Sequence, residues 1–516
     1  MRRAKLVIAV ATVTLLVSAQ AGTAAQGFHT KGKLMVKIAK DAPPGSRGTA
    51  LIASGDVFDS DFMFEGIPDG VGWVDNGDGT VDVYVTHEQS HVPFQNLADF
   101  VDSSISRLTI NTRTNLIVDA EVALPPSEGF IRFCSAFMAG AAEGFLSPVF
   151  FANEESDDDI AVPAGAIYGS DPFFAPDNTR EAGYAVALDV ATGEYTEIPG
   201  MGRHNHENTV VVPGGWNEAV ALSGDDTFNA PSSQLYLYKA ATPSGLVTDN
   251  GHLWAFRVTE TDEGPVDEED PFNGANDYGD ITSGDDWQGE FIQVPDDVAD
   301  GTLTTEAPQA GLQNWSNANN VFQFIRVEDI AYDRNNPRVV YFADTGERRA
   351  RPDLDASDPD APDGRLDRGP SSFNGPYPNG RIFRMEFSPT DPTVVTSFSI
   401  LLNNDPGGLN NPDVMHQPDN IDTSANSLMV QEDSGQAPNS RIWRYDFATE
   451  EWTVVASVRE AAWESSGIVD ASDAFGDGSW LVTVQAHDVF VDSEVVGTVT
   501  FKREGGQLLL LRLPGT

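Results

Sequence analysis

One strand–turn–strand unit recurs along this chain and constrains its fold more than any other feature. "RLTINTRTNLIVDAEV" begins at Arg107, "GYAVALDVATGEYTEI" at Gly183, "RIFRMEFSPTDPTVVTS" at Arg381 and "RIWRYDFATEEWTVVAS" at Arg441. Each has an alternating apolar and polar run, a short turn of Thr, Gly, Asp or Asn, and a second alternating run. Alternation at period two turns one face of a strand to a core and the other to water, so each unit reads as a hairpin. "WVDNGDGTVDVYVTHE" adds another, with its turn at Asn76 to Gly79, and "LYLYKA", "HLWAFRV", "VVYFADT" and "SWLVTVQA" supply further strands. Long amphipathic helical patterns are hard to find.

Hairpins repeated over hundreds of residues can close into a ring that leaves few sheet edges open. The expected fold is all-β, a six-bladed β-propeller with about 70 to 80 residues per blade. A stacked pair of β-sandwiches is the alternative. Residues 259–320, acidic and turn-rich, and 346–380, dense in Asp, Pro and Gly, are expected as loop insertions on one propeller face.

The chain opens with Arg2, Arg3 and Lys5 before an apolar run from Leu6 to Val17, then small residues with expected cleavage after Ala21 or Ala25. This pattern predicts a signal peptide over 1–25, followed by a single propeller domain over 26–516. Sec and twin-arginine export both stay open. No later run approaches the length of a membrane span, so a secreted or periplasmic protein without membrane insertion is expected. A monomer is expected as well.

Against 31 Lys+Arg stand 79 Asp+Glu, a net charge of −48. Such a surface repels nucleic acid and anionic membranes. Most of this charge reads as solvated surface, and the question is which acids converge on cations, Ca²⁺ above all. The series Asp353, Asp355, Asp358, Asp360 and Asp363 misses the EF-hand spacing and reads as a solvated loop. The single cysteine, Cys134, forbids an intramolecular disulfide.

His87, Glu88 and His91 spell H-E-x-x-H, the zinc-peptidase pattern, which works when both histidines share one helical face. Here the motif follows the alternating run "TVDVYVT", and Pro93 comes two residues after His91. Histidines four apart in a strand lie roughly 13 Å from each other, too far for one zinc. What survives is the His-Glu pair, because similar elements recur. "GRHNHEN" carries Arg203 and His206-Glu207, "FFANEES" ends on Glu154-Glu155, "FIRVED" sets Arg326 before Glu328, and "QPDNIDTSANSLMVQED" holds Asp419, Asn420, Glu432 and Asp433. The 121 residues from Glu207 to Glu328 are about two blades' worth. Acids recurring once per blade point to a common axis, where like charges need protons or multivalent cations.

"VTHE", Cys134 some twenty residues before "NEE", "GRHNHEN", "RVED", "PDNI…LMVQED" and the late "VQAH" follow one another in the order seen in bacterial PhoX-type alkaline phosphatases, which the chain resembles over roughly residues 60–490. The resemblance implies a secreted six-bladed propeller that hydrolyses phosphomonoesters with a calcium and iron (Fe³⁺) cluster at its axis, acting on a small phosphorylated substrate. By position it implies Cys134 as iron ligand, and Glu154 or Glu155, Glu207, Glu328 and Asp419 as holders of iron and calcium. Glu88 and Glu432 are implied as ligands of the same kind, with His206 and His487 orienting them. Arg326 would face phosphate, with Arg203 or Arg132 assisting. The chain departs from the family at Phe133, where small residues are usual, and lacks both a Trp after the cysteine and an upstream phosphate-binding lysine. Cys134 as a plain buried thiol therefore stays open. So do a phytase or lactonase, and a non-catalytic calcium-binding propeller.

Overall fold

The computed structural model describes residues 27–58, 62–156, 159–161, 179–227, 233–270, 273–302, 308–352, 365–433 and 439–516. The expected signal peptide and the Asp353 to Asp363 series lie outside these residues.

Six four-stranded antiparallel units follow one another in the chain. Their first strands are Pro68–Asp75, Phe133–Ala139, His206–Val211, Val327–Tyr332, Pro418–Thr423 and Trp463–Asp470. Each of these packs against the first strand of the next unit, and the sixth returns to the first, which closes the circle. The expected six-bladed propeller is thus the fold, and these are its inner strands. The four repeated hairpins are the outer halves of blades 1, 2, 4 and 5, as the pairings Ile110↔Ile117, Leu188↔Tyr195, Phe387↔Val395 and Asp446↔Glu451 show.

The two chain ends complete the ring. Blade 6 takes its outermost strand, Arg47–Ala53, from the N-terminal region, and this pairs with Val499–Arg512. Val36–Ile38 adds a fifth strand to blade 5. Both additions cover edges that would otherwise present unpaired backbone. Residues 259–320, read as a loop insertion, contain more structure than a loop. Their strand Trp287–Gln293 pairs with blade 3 through Phe256↔Phe291 and with blade 4 through Gly289↔Val395, and the helix Pro308–Ala318 follows it. Strand pairing and burial of Trp287 and Phe291 outweigh the local turn-rich composition.

Apolar residues of neighbouring blades interdigitate to form the core. In blade 4, Phe383 packs its ring 5.2 Å from Phe342 and 5.4 Å from Phe398, and Phe398 in turn lies 5.0 Å from Phe256 of blade 3. Among the described residues no helix is long and apolar enough to cross a membrane.

Candidate metal centre

The blades repeat at the level of single side chains. The second residue of the inner strand is, in blade order, Asp69, Cys134, Glu207, Glu328, Asp419 and Glu464. In blades 1 to 5 the register with the next strand slips directly at this residue, between Pro68 and Val71, Phe133 and Ala136, His206 and Thr209, Val327 and Ile330, and Pro418 and Ile421. In blade 6 the slip comes slightly later, between Ser465 and Ile468. A bulge re-aims side chains and ends regular pairing. Here it recurs at the axis in every blade.

A second ring comes from the neighbouring strand. The opening residue of each inner strand pairs with His87, Glu154, Asp225, Asp344, Glu432 or Ala486. The residues that follow these partners are Glu88, Glu155, Asp226, Thr345, Asp433 and His487. Adjacent residues of an extended chain point to opposite sides, so the two sets do different work.

The paired residues brace the fold. His87 Nδ1 lies 3.0 Å from the Gly66 carbonyl, and Ile131 N–H donates to Glu154 Oε1 at 3.0 Å. Ile325 N–H donates to Asp344 Oδ2 at 2.9 Å, and His416 N–H to Glu432 Oε1 at 2.8 Å. Each bond thus ties down the backbone two residues before an inner strand. This corrects the expectation for Glu154 and Glu432. Glu154 also accepts from Tyr184 N–H, and Glu432 from Arg441 and Trp443, so both carboxylates are spent on bracing. Asp433, not Glu432, occupies the position equivalent to Glu88 and Glu155.

Arg203 also stands apart from the cluster. Its guanidinium stacks 3.6 Å from the Tyr184 ring and donates to the Ala182 carbonyl. His206 bonds to Ser223 and the Gly202 carbonyl beneath Glu207, and burial holds its pKa down at about 4. In the H-E-x-x-H stretch, His87 is a brace, Glu88 joins the cluster, and His91 pairs with Asp102.

The remaining expected ligands come together. Asp69, Glu88 and Cys134 form one group of converging ligand atoms, Cys134, Glu155 and Glu207 a second, and Glu207, Glu328 and Asp419 a third, each within 4.8 Å. Cys134 and Glu207 are each shared by two groups. Cys134 Sγ lies 3.3 Å from Glu207 Oε1 and 3.5 Å from Asp69 Oδ2.

Burial first, then the charges of neighbouring carboxylates, push Glu207 and Asp419 well above the ordinary carboxylate range. Asp69 and Glu155 are raised for the same two reasons, and Glu88 is pushed up to about 7. Burial raises the Cys134 thiol as well. Glu464 goes the other way: burial opposes ionisation, but the hydrogen bond and charge of His487 hold its pKa low. Asp69 Oδ1 is buried without a hydrogen-bond partner. Hard oxygen donors, a thiol and an orphaned buried carboxylate oxygen are a donor set that multivalent cations fit.

Neighbours orient the acids. Gln485 donates to Asp69 Oδ2 at 2.7 Å and to Glu88 Oε2 at 2.8 Å, while Thr345 donates to Glu328 Oε1 at 2.5 Å. Arg326 immediately precedes the inner strand of blade 4. It grips Asp226 with Nε and Nη2 and lies 3.3 Å from Glu328 Oε1. Arg132 holds the equivalent place in blade 2, and its charge reaches Glu88.

Sequence reasoning missed Asp69, Asp226 and Glu464. Each is the acid of "PDG", "GDD" or "WES", strings too ordinary to stand out. The signal that could have found them is position, one residue into an inner strand or one beyond its partner.

The family model for alkaline phosphatase PhoX matches residues 147–496. The chain belongs to the PhoX alkaline phosphatase family. Its activity is that of a phosphoric monoester hydrolase, and of the readings left open by the acids alone this is the one that membership supports. The matched PhoX segment begins after Cys134 and covers well over half the chain. No curated protein matches the sequence. Among solved structures, Pseudomonas fluorescens PhoX in complex with vanadate, a transition state analogue, is similar at 13% identity with a TM-score of 0.63, over 93% of this chain and 97% of that one. That likeness shows the shared propeller fold. A putative oxidoreductase (glucose dehydrogenase) from Thermus thermophilus follows at 10% identity and TM-score 0.40, over 90% of this chain and all of its own.

Proposed function

We propose that this PhoX-family chain is an exported, calcium-dependent phosphomonoesterase whose reaction runs at the propeller axis. One observation carries the reading: all six inner strands present an ionisable side chain at their second residue, and five of those six join groups of ligand atoms within 4.8 Å. Asp69, Glu88, Glu155, Glu207, Glu328 and Asp419 would hold the cations, calcium among them, with iron taken by the Cys134 thiolate. Export rests on the N-terminal segment, Arg2 to Ala25.

Bound cations would neutralise the carboxylates and withdraw charge from the phosphoryl oxygens, which is most of what phosphate ester hydrolysis asks of a protein. The chain's own residues do the positioning. Arg326 offers a planar fork that fits two phosphate oxygens, and Asp226 holds that fork rigid until phosphate competes for it. Arg132, at the equivalent position of blade 2, is the second basic group within reach of the substrate and does the work of the absent lysine. Gln485, Thr345 and His487 keep the acids from rotating away, as outer partners of metal ligands do.

The test is elemental analysis of protein purified from its native compartment, beside turnover of p-nitrophenyl phosphate, phytate and a lactone. Calcium with phosphomonoester turnover is expected, and metal-free protein with full activity would sink the reading. Iron present in wild type and absent from Cys134→Ser supports the thiolate assignment; equal iron in both rejects it.

A further inference from the structure

The inner strands run away from the metal centre and enclose a second space at their far ends. A cavity of about 520 Å³ is lined there by residues from the inner strands of all six blades. Its mouth residues Asp75, Asp422 and Asp470 end or nearly end their strands, so by strand rise the mouth lies about 10 to 20 Å along the strands from the metal ligands, while the base residues Asn208 and Asp329 directly follow Glu207 and Glu328. At its base Asn208 donates to Asp329, whose other oxygen accepts Ile421 N–H at 3.0 Å, a link between blades 3, 4 and 5.

Its walls are apolar and aromatic, with Trp73, Phe137, Ile330 and Ile468 among them. Among the described residues its charged groups are almost all of one sign: Asp75, Glu143, Asp329, Asp422, Asp470 and Asp473 against a single cation, Arg334. Arg334 is already engaged. It lies 3.2 Å from Asp422 Oδ1, donates to the Thr423 carbonyl and stacks over Tyr332. Asp422 answers that charge, Asp329 accepts from Asn208 and two backbone amides, Glu143 from Tyr332 and Asp470 from Ser472, so the pocket's negative charge sits chiefly on the exposed Asp75 and Asp473 at its mouth.

A bare metal ion suits this arrangement poorly, since none of the converging ligand groups among the described residues includes these acids. An anionic phosphoester suits it worse. We infer that the pocket binds a small organic cation, a protonated amine on an apolar or aromatic body, with the body against Trp73 and Phe137 and the charge among the carboxylates. Pockets of this size hold drug-sized ligands, and aromatic walls add cation–π attraction.

Calcium-loaded full-length protein should be titrated with phenethylamine, 2-phenylethanol and phenylacetate, following heat and tryptophan fluorescence. The amine should bind about tenfold or more tightly than the alcohol, the value of one good charge interaction, and phenylacetate should not bind. Asp75→Asn with Asp473→Asn, both exposed, should weaken the amine, and Ala142→Trp at the mouth should block it, with melting temperature and phosphatase rate unchanged. Equal binding of all three compounds, no binding of the amine at millimolar concentration, or its displacement by orthophosphate would overturn the proposal; the last would place the amine at the metal centre instead.

Discussion

Arg326 and Asp226 form a two-pronged ion pair, Nε to Oδ1 at 2.7 Å and Nη2 to Oδ2 at 2.5 Å. The pair joins blades 3 and 4 at the cluster's edge, and a phosphate group can replace Asp226 with the same forked geometry. Arg326→Ala should lower kcat/KM for p-nitrophenyl phosphate by about a hundredfold or more, the range found when one charged donor to a transition state is removed. Arg326→Lys should recover only a small part, because an ammonium cannot reproduce the fork. Wild-type rates in both would remove Arg326 from the site.

Glu207 belongs to two ligand groups and carries no brace. Glu207→Gln should abolish turnover and lower bound metal while the fold survives. In metal-free protein the same change should raise the melting temperature, since it removes one of several crowded buried charges. A fall in both forms would mean that the carboxylate is structural.

Chelation should reverse the protein's response to pH. Without cations the ring carboxylates have folded-state pKa values above their unfolded ones, so the folded chain binds more protons between the two. Stability is then present below the unfolded value, 4.5 for a glutamate, and is lost as pH rises through the folded one, about 7 for Glu88. Metal-free melting temperatures should fall steadily from pH 4.5 to 7.5, and added calcium should remove that slope. A flat metal-free profile would contradict the crowding of these acids.

Glu432→Ala should act on folding alone. It strands the buried Arg441 guanidinium and two backbone amides, His416 and Arg441 N–H, which together cost about 3 to 5 kcal/mol. Thermal scans should show a large drop, while folded molecules keep their metal content and rate. Loss of metal at unchanged stability would return Glu432 to the ligand set.

The period-two hairpins made the all-β class legible, because alternation is a local property and the turns are written in single residues, while the count of six blades rested on chain length against blade size and on the family resemblance. The recurrence of acids from Glu88 to Asp419 likewise made an axial cluster legible, and the family's motifs named most of its members. Only the tertiary structure separated Glu155 from Glu154 and Asp433 from Glu432. One step along an extended strand reverses the direction of a side chain, and a string such as "NEE" or "QED" does not say where the bulge falls. Asp69, Asp226 and Glu464 were invisible for a related reason. Their role comes from six distant segments meeting at one axis, and that meeting is set by how the blades close.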